Sequence, residues 1–325
     1  WCKAPTSTSR ADMSLQVLFS AAEGEWPRYA APLRAACAAA GLDAELSETL
    51  PTSGPAGVDY IIGTASGPVR DFTPYTSVRA MLSLWAGVER LLANPTLTQP
   101  IVRMIDPGLT AGMVEWVAGH ALRHHLGLDR LITGQGATWN PIIPPLAAER
   151  SVAVLGLGAL GAASARALAG LGFRVAGWSR SPKNISGIAC HSGPAGLESA
   201  LRGAEIVVLL LPETPATTDI LDARTLGWLA QGAVVLNPGR GPLIDDRALL
   251  AALDAGRIGH ATLDVFRTEP LPPEHPYWAH PRVTVSPHVA SATRPETAAR
   301  ALAASITEME AGRAPAGLVD RARGY

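Results

Sequence analysis

Short apolar runs of strand length alternate with Ala-rich runs of helix length along most of the chain, and this alternation restricts the possible folds more than any other feature. Residues 15–20 and 60–62 are predicted as buried strands, and residues 32–40 as a helix that ends at Gly41. The strands are apolar on both faces, which is typical of parallel sheets covered by helices. The sequence therefore predicts an α/β protein with doubly wound parallel sheets.

The length of the chain predicts two domains. A domain has about 150 residues, and this chain has 325, of which 47% are hydrophobic and 17% charged. This composition suffices for packed cores and excludes a disordered chain. Residues 106–112 (DPGLTAG) precede a helix predicted from about Met113, so we expect a domain joint and a hinge there. The final helix, predicted at about residues 296–310, is expected to return to the first domain.

The charge balance excludes other classes of protein. With 27 Lys and Arg residues against 28 Asp and Glu residues, the formal net charge is −1, which argues against a general nucleic-acid binder and a basic membrane-surface protein. The longest strongly apolar stretch, residues 206–211, is much shorter than a membrane-spanning helix. We therefore predict a soluble protein whose ligand is a small neutral or anionic molecule.

The cysteines and the first residues bear on compartment and processing. Cys2, Cys37 and Cys190 are far apart in the sequence, so they support neither a disulfide framework nor a zinc site and favour a reducing cytoplasm. Residues 1–12 are polar and aperiodic. We expect them to be a tag or a disordered leader, with the folded chain beginning near Met13.

The clearest pattern begins at residue 151. Residues 152–155 and 173–178 are predicted strands separated by a predicted helix at residues 162–171, which makes one βαβ unit. Further buried strands follow, each bounded by Pro, Gly or a helical stretch. They are predicted at residues 205–211, 233–236, 261–265 and 283–286.

A glycine-rich turn joins the first strand of this unit to its helix. Gly156, Gly158 and Gly161 form the pattern G-x-G-x-x-G, with Ala159 and Leu160 between the last two glycines. In a strand-turn-helix context, such glycines permit a tight turn, let backbone N–H groups approach a pyrophosphate and let helix and strand pack closely. The turn predicts a Rossmann-like dinucleotide-binding domain, and an incidental glycine-rich turn is the simpler alternative.

The end of the second strand indicates which dinucleotide is bound. NAD-binding domains usually place an Asp or Glu there to bind the ribose 2′-hydroxyl. Residues 178–183 instead read WSRSPK, so Ser179, Arg180 and Lys183 stand where the acid is expected. Cations and hydroxyl groups suit a 2′-phosphate, so we expect NADP (NADPH) to be preferred, with NAD as the alternative cofactor. A solvated basic turn is the other interpretation.

Polar residues follow three of the predicted strands of this sheet. Arg240, Asp264 and His288 each come at or just after the end of one strand. Ligands of open parallel sheets bind beyond the carboxyl ends of the strands, so we expect all three side chains to point towards the cofactor. Glu269, in the loop after Asp264, can approach His288. Arg240, Glu269 and His288 could each instead be an ordinary surface or strand-end residue, but their joint placement favours a functional site.

These segments, together with the closing VDRARGY of residues 319–325, resemble the D-isomer-specific 2-hydroxyacid dehydrogenases. Within that family, the chain looks most like the bacterial NADPH-dependent glyoxylate/hydroxypyruvate reductases of the A type. The resemblance is specific from about Ala111 onwards and looser before it. It implies two Rossmann-like domains, with a dinucleotide-binding domain (residues 112–289) inserted into a discontinuous substrate domain (residues 13–111 and 290–325). It also implies a homodimer.

The resemblance implies roles for individual residues. Arg240 would bind the carboxylate and carbonyl group of a 2-oxo acid, His288 would contact the substrate as the acid/base, and Glu269 would be the partner of His288. Asp264 would lie near the nicotinamide end of the cofactor. The remaining expected cofactor contacts are Leu211, Pro212, Pro238 and Gly239.

The chemistry of such a reduction needs these residue types. A hydride is added to the carbonyl carbon and a proton to its oxygen, so a protonated imidazole near that oxygen stabilises the developing alkoxide and donates the proton. A carboxylate beside His288 favours the protonated imidazole. The planar guanidinium of Arg240 can meet two substrate oxygens at once. The sequence therefore predicts direct hydride transfer without a metal.

Residues 84–89 (LWAGVE) resemble the substrate loop of the family, whose backbone N–H groups hold the substrate carboxylate. This resemblance assigns Trp85, Ala86 and Gly87 to substrate binding. Gly87 matches the family pattern, whereas Trp85 stands where a Gly is usual and Glu89 where an Asp is usual. Since Trp85 could narrow or reshape the pocket, a bulkier 2-oxo acid is an alternative to glyoxylate and hydroxypyruvate.

Other features have competing interpretations. Trp139 resembles a family tryptophan that reaches the site of the neighbouring subunit, and a buried packing residue is the alternative. His120, His124 and His125 lie on one predicted helix without an acidic third ligand nearby, so we expect a helix face in a dimer contact or in solvent rather than a metal site. A non-catalytic nucleotide sensor of the same fold, as in the C-terminal-binding-protein corepressors, is the alternative from another functional class.

Overall fold

The computed structural model of the protein describes residues 14–134, 139, 141 and 143–325, and the chain divides into two compact units. The first unit comprises Trp1–Gly108 and Thr293–Tyr325, and the second comprises Leu109–Ala292. Each contains a parallel sheet with helices, so the predicted α/β class is confirmed. The leader expected at residues 1–12 lies outside the described residues.

The described residues form strands and helices in alternation. The strands are β1 (Leu15–Ser20), β2 (Ala44–Ser47), β3 (Tyr60–Gly63), β4 (Ala80–Ser83), β5 (Ile101–Val102), β6 (Ser151–Leu155), β7 (Arg174–Ser179), β8 (Ala189–Ser192), β9 (Ile206–Leu209), β10 (Ala233–Asn237), β11 (Ile258–Leu263) and β12 (Val283–Val285). The α-helices are α1 (Trp26–Ala39), α2 (Glu89–Leu92), α3 (Pro107–Leu126), α4 (Leu128–Thr133), α5 (Ala159–Gly170), α6 (Gly193–Leu201), α7 (Ala223–Leu226), α8 (Asp246–Asp254) and α9 (Pro295–Glu310). Within this part of the chain, every helix is too short or too polar to span a lipid bilayer.

The first unit is built around a five-stranded sheet in the order β2-β1-β3-β4-β5. All neighbouring strands in it are parallel. β3 and β4 are buried at every residue, as expected for strands covered on both faces. The predicted start of α1 at Pro32 is wrong, because Pro27 occupies the first turn, where proline is favoured, and Pro32 lies inside the helix.

The start predicted for the next helix at about Met113 is also wrong, because α3 begins at Pro107. Asp106 accepts a hydrogen bond from the backbone N–H of Gly108 across 2.7 Å. An acceptor before a proline is a strong start signal for a helix, and it outweighs the low helix propensity of glycine. The boundary between the units, after Gly108, therefore falls in the first turn of a helix rather than in a loop.

The second unit is built around a seven-stranded parallel sheet in the order β12-β11-β10-β9-β6-β7-β8. Hydrophobic residues pack on both faces of this sheet. From β6 the chain continues through β7 and β8 on one side, and through β9 to β12 on the other. The order of the strands therefore reverses at β6, and ligands of such sheets bind beyond the carboxyl ends of the strands at this switch point.

Candidate active site

The glycine-rich turn lies at the switch point of the second sheet, between β6 and α5. Gly156 has a left-handed backbone conformation (φ +104°), and a Cβ atom there would lie 2.4 Å from the carbonyl oxygen of Leu210. A Cβ atom at Gly161 would lie 1.6 Å from the carbonyl oxygen of Gly156. Both distances are far below van der Waals contact, so only glycine fits at the first and third positions of the motif.

The second glycine of the motif leaves open space in front of α5. Gly158 is exposed and immediately precedes the helix, and no described atom lies within 4 Å of the position that a Cβ atom would take there. The N–H groups of Ala159 and Leu160 belong to the first helical turn, where N–H groups have no acceptor within the helix. Together with the positive end of the helix dipole, this arrangement fits a pyrophosphate.

The residues expected near the 2′ position of the cofactor lie at the end of β7 and in the turn that follows it. The strand ends at Ser179, whose buried hydroxyl donates a hydrogen bond to the carbonyl oxygen of Ser181 across 2.8 Å. Arg180 and Lys183 are exposed on the following turn. Residues 178–183 contain no Asp or Glu, so this strand end presents cations where an NAD-binding domain usually presents an acid.

The cofactor residues expected after β9 and β10 lie beyond the carboxyl ends of these strands, as the glycine-rich turn does after β6. Leu211 is buried and Pro212 is partly buried. Pro238 and Gly239 are both buried, and a Cβ atom at Gly239 would lie 2.7 Å from the carbonyl oxygen of Leu209. The turn after β10 therefore packs directly against the end of β9.

A buried asparagine shapes the turn that carries Arg240. The side chain of Asn237, 1% exposed, accepts a hydrogen bond from the N–H of Gly239 and donates one to the carbonyl oxygen of Arg240. Nη1 of Arg240 donates to the carbonyl oxygen of Gly239 across 2.6 Å. Our sequence reasoning missed Asn237, although a polar residue at the end of a buried strand signals that its side chain is hydrogen-bonded.

The carboxylate of Asp264 holds the segment that carries His288. Asp264 directly follows β11 and is fully buried. Its Oδ1 accepts hydrogen bonds from the hydroxyl of Ser286 at 2.5 Å and the N–H of Val289 at 2.9 Å, and its Oδ2 accepts one from the N–H of Ala290 at 2.9 Å. A buried carboxylate is stable only with such partners. Our sequence reasoning missed Ser286.

The backbone of His288 has an uncommon conformation. Its φ of +55° lies in the left-handed region, which costs a residue with a side chain on the order of 1 kcal/mol or more. The N–H of His288 donates to the carbonyl oxygen of Asp264 at 2.8 Å, next to the hydrogen bonds that the carboxylate of Asp264 accepts. These contacts hold the strained turn in place, while the imidazole is 55% exposed.

Glu269 orients the imidazole of His288. Oε1 of Glu269 accepts a hydrogen bond from the N–H of Phe266 at 2.9 Å, and Oε2 lies 2.8 Å from Nδ1 of His288. An ionised carboxylate only accepts hydrogen bonds, so Nδ1 carries a proton. The other ring nitrogen, Nε2, is then the atom that can give or take a proton. A neighbouring carboxylate also stabilises the doubly protonated ring.

The predicted substrate loop lies in the first unit, directly after β4. The N–H of Trp85 donates to the hydroxyl of Ser83, and its carbonyl oxygen accepts hydrogen bonds from that hydroxyl and from the N–H of Met104, all at 3.0 Å. The backbone of Trp85 is therefore fixed on both sides, while the residue as a whole is 41% exposed. Ala86 and Gly87, the next residues of the loop, are partly buried.

Comparison with known proteins identifies the family. Residues 118–290 match the D-isomer specific 2-hydroxyacid dehydrogenase, NAD binding domain. The chain is 40% identical over 256 residues to glyoxylate/hydroxypyruvate reductase A of Yersinia enterocolitica, which covers 76% of this chain and 82% of that protein. This chain belongs to the D-isomer specific 2-hydroxyacid dehydrogenase family. It is therefore an NAD(P)-dependent oxidoreductase, and the family predicted from the sequence is confirmed.

Solved structures resemble this dehydrogenase over nearly its whole length. A D-isomer specific 2-hydroxyacid dehydrogenase from Xanthobacter autotrophicus Py2, in complex with NADPH and MES, is 38% identical with a TM-score of 0.87, covering 96% of this chain and all of that one (100%). An NADPH-dependent glyoxylate/hydroxypyruvate reductase from Sinorhizobium meliloti, in complex with NADP and sulfate, is 32% identical with a TM-score of 0.81 and the same coverage of 96% and 100%. The predicted Rossmann-like fold is confirmed.

Two of the three histidines on α3 of this dehydrogenase, His124 and His125, face the interior of the second unit. Nε2 of His124 lies 2.9 Å from Oγ1 of Thr262 in β11, and His125 is buried with its ring 5.1 Å from that of Phe173. The expectation of a helix face in solvent or in a dimer contact is therefore wrong for both residues, because the helical period directs them at the sheet. Among the described residues, no group of three or more His, Cys, Asp or Glu side chains could hold a metal ion.

Trp139 and the cysteines complete the residues singled out from the sequence of the dehydrogenase. Trp139 is 95% exposed, so its interpretation as a buried packing residue is wrong. Cys37 and Cys190 are free thiols, and burial raises the pKa of Cys37. Cys2 lies outside the described residues.

Proposed function

We propose that this dehydrogenase reduces small 2-oxo acids, such as glyoxylate and hydroxypyruvate, to 2-hydroxy acids by direct hydride transfer from NADPH, with His288 as the acid. The observation that carries the proposal is the 2.8 Å contact between Nδ1 of His288 and Oε2 of Glu269. This contact lies beyond the carboxyl ends of the strands, where the glycine-rich turn and Arg240 also lie. An oriented, solvent-exposed imidazole beside a carboxylate is what proton donation to a carbonyl oxygen requires.

The second unit would bind the cofactor, and the first unit would carry the substrate loop. The N–H groups of Ala159 and Leu160 would hold the pyrophosphate, and Ser179, Arg180 and Lys183 would hold the 2′-phosphate of NADPH. Bound NADPH would supply the hydride. The similar structures from Xanthobacter autotrophicus and Sinorhizobium meliloti contain NADPH and NADP, which supports this choice over NAD.

Arg240 and His288 would act on the substrate. The guanidinium of Arg240 would bind the carboxylate and the carbonyl oxygen, which aligns the carbonyl group and stabilises negative charge on its oxygen. Nε2 of His288 would donate its proton to that oxygen as the alkoxide forms. Glu269 would keep the ring oriented and stabilise the charged imidazolium before the transfer. The backbone N–H groups of Ala86 and Gly87 would hold the substrate carboxylate.

A homodimer is part of the proposal. Among the described residues between 126 and 146, several large apolar side chains are exposed, which favours a protein contact, because soluble monomers rarely expose such a series. These side chains are Leu126, Leu131, Ile132, Trp139, Ile143 and Leu146. Light scattering coupled to gel filtration is expected to give the mass of a dimer, and Ile132→Glu is expected to shift it towards the monomer. A monomeric wild-type chain at micromolar concentration would contradict the dimer.

The activity is tested by following NADPH oxidation with a panel of 2-oxo acids. We expect glyoxylate and hydroxypyruvate to be reduced with kcat/KM of about 10⁴ M⁻¹s⁻¹ or more, a value ordinary for enzymes. A higher kcat/KM for phenylpyruvate than for glyoxylate and hydroxypyruvate would show that the preferred substrate is a bulkier 2-oxo acid. Tight NADPH binding without turnover of any 2-oxo acid would favour a nucleotide sensor instead.

A further inference from the structure

Two histidines and two threonines join α3 to the edge strands of the second sheet. Nε2 of His124, on α3, lies 2.9 Å from Oγ1 of Thr262 on β11. Nε2 of His260, also on β11, lies 2.9 Å from Oγ1 of Thr284 on β12. The two imidazole rings are 4.8 Å apart. We call these four residues the histidine cluster.

The histidine cluster lies close to the site along both strands. Thr262 and Thr284 are partners in the parallel register of β11 and β12. Only Leu263, the last residue of β11, separates Thr262 from Asp264, and β12 leads directly into Ser286 and His288. β12 has only three residues and is the last strand of the sheet, so it has a neighbour on one side only. The cluster therefore adds side-chain contacts to a short edge strand.

The charges around the histidine cluster are already balanced without a charged imidazole. Arg123 donates from Nη2 to Thr284 at 3.0 Å and from Nε to Asp129 at 2.7 Å, which pairs it with the acid that α4 directs at the cluster. Two further titratable groups lie close enough to influence the charge state of the histidine cluster. They are His120 on α3 and His280 in the segment before β12. His280 has its own acidic partner, Asp254, at 3.3 Å, and Asp264 acts on His120. A proton added to His124 or His260 would therefore introduce a charge without a counter-ion.

The hydrogen bonds also fit neutral rings. The hydroxyl of Thr284 accepts from Arg123, so its own proton is free to point at Nε2 of His260, which is then an acceptor. Burial lowers the pKa of His124 to about 3, with the neighbouring His260 and Arg123 adding to the effect. Burial and then Arg123 lower the pKa of His260 to about 4. Both imidazoles are thus neutral in the folded protein at neutral pH.

We propose that the histidine cluster positions the turn that carries His288, and that it does so only while both imidazoles are neutral. His124 and His260 are positioning residues, since neither touches the reacting atoms. The kinetic consequence rests on the proposed function, whereas the structural one does not. Once β12 and α3 separate from β11, the rings lose their partners Thr284 and Thr262, become hydrated and titrate near pH 6.5. Opening is therefore favoured progressively as the pH falls below about 6.5, by up to about tenfold per pH unit for each histidine.

The test compares hydrogen-deuterium exchange of the full chain and of His124→Gln/His260→Gln at pH 7.5 and pH 5.5. Glutamine can retain a hydrogen bond to threonine but does not titrate. At pH 7.5 the two proteins are expected to exchange alike. At pH 5.5 the wild-type amides of residues 283–290 are expected to exchange about ten- to a hundredfold faster than those of the variant. Equal exchange in both proteins at pH 5.5 would overturn the proposal.

Two further variants and a kinetic measurement complete the test. His191→Gln, on the opposite edge strand β8, is expected to respond to acid like the wild type, because it removes a histidine outside the cluster. Should the double variant fail to fold, His260→Gln alone is the substitute. It is expected to remove about half of the acid-induced increase in the exchange rate of residues 283–290, measured on a logarithmic scale. Acid is also expected to lower the kcat of the wild type more than that of the variant, with KM for NADPH unchanged. A chain without turnover but with the exchange difference would refute the proposed reductase and leave the cluster proposal standing.

Discussion

The N–H of Ala290 donates a 2.9 Å hydrogen bond to Oδ2 of Asp264, an acid that precedes it by 26 residues in the sequence. This contact brings the ends of β11 and β12 together around the turn that carries His288. The carboxylate is 0% exposed, whereas the imidazole that it helps to position is exposed. The acid therefore fixes the backbone of the turn and leaves the ring of His288 to contact other molecules.

Asp264→Asn is expected to weaken this arrangement. An amide has one accepting oxygen, so its NH₂ group would face the N–H donor of Ala290 and lose that hydrogen bond. We expect the free energy of unfolding to fall by about 1.5 to 3 kcal/mol, as for other hydrogen bonds to charged groups. The turnover number should fall at least about tenfold, because a catalytic group that is displaced by about 1 Å loses much of its effect. Urea unfolding and steady-state kinetics measure the two effects.

Ser286→Ala is the matched control for that change. It removes one donor to the same carboxylate and keeps the hydrogen bonds from Val289 and Ala290. Its effects on unfolding and turnover should both be smaller than those of Asp264→Asn. Losses as large as those of Asp264→Asn would show that the backbone contacts to the carboxylate do not hold the turn.

His288→Ala is expected to remove most of the activity. Loss of a general acid typically lowers kcat about 10²- to 10⁴-fold. The affinity for NADPH, measured by fluorescence titration, should stay within about twofold, because the glycine-rich turn is unchanged. His191→Ala on β8 serves as the control and should retain wild-type turnover. Near-normal turnover of His288→Ala would exclude His288 as the acid.

Glu269→Gln is expected to move the pH dependence of reduction. Reduction needs the protonated imidazole, and the wild-type carboxylate stabilises that form from 2.8 Å. Without the negative charge at 2.8 Å, the protonated ring is less stabilised, so the decline in rate with rising pH should begin at a lower pH in the variant. The glutamine oxygen can still accept from Nδ1, so the ring keeps its orientation. The pH profile of kcat/KM is the measurement, and an unmoved profile would separate Glu269 from the proton transfer.

The sequence predicts the strands that position the site because their physical signal is local. Buried parallel strands are apolar along their whole length, so β6 and β10 are recognisable as continuous runs. The polar edge strand β8 (Ala189–Ser192) and the two-residue β5 (Ile101–Val102) have no such run, and neither was predicted. Short edge strands depend on the neighbouring strand more than on their own residues.

The candidate site was predictable only in part. The positions of Arg240, Asp264 and His288 follow from the rule that ligands bind beyond the ends of parallel strands. The partners of Asp264 and the neutral state of His124 depend on tertiary contacts between residues far apart in the sequence, such as His124 and Thr262, whose positions differ by 138. Periodicity shows which face of a helix is apolar, but a polar residue directed at a sheet leaves no such signal.

Trp85→Gly is expected to broaden the substrate range. The backbone of Trp85 is fixed by Ser83 and Met104, so the indole cannot withdraw by a change in the loop. Removing it should raise kcat/KM for phenylpyruvate relative to glyoxylate by about tenfold or more, the usual effect of added room in a pocket. Trp85→Phe should give an intermediate ratio. A ratio that stays the same in both variants would show that the indole lies outside the substrate pocket.

Arg180→Glu is expected to reverse the preference between cofactors. Arg180 follows β7 at the strand end where an acid would bind the 2′-hydroxyl of NAD, and a glutamate there would repel a 2′-phosphate. Loss of one charged hydrogen bond is worth about 1.5 to 3 kcal/mol, so kcat/KM with NADPH should fall about ten- to a hundredfold, while that with NADH should hold or rise. Arg166→Glu, an exposed position on α5 with the same change of charge, is the control and should leave the NADPH/NADH ratio as in the wild type. If both variants changed the ratio equally, the effect would come from the overall charge of the unit, and Arg180 would not read the 2′-phosphate.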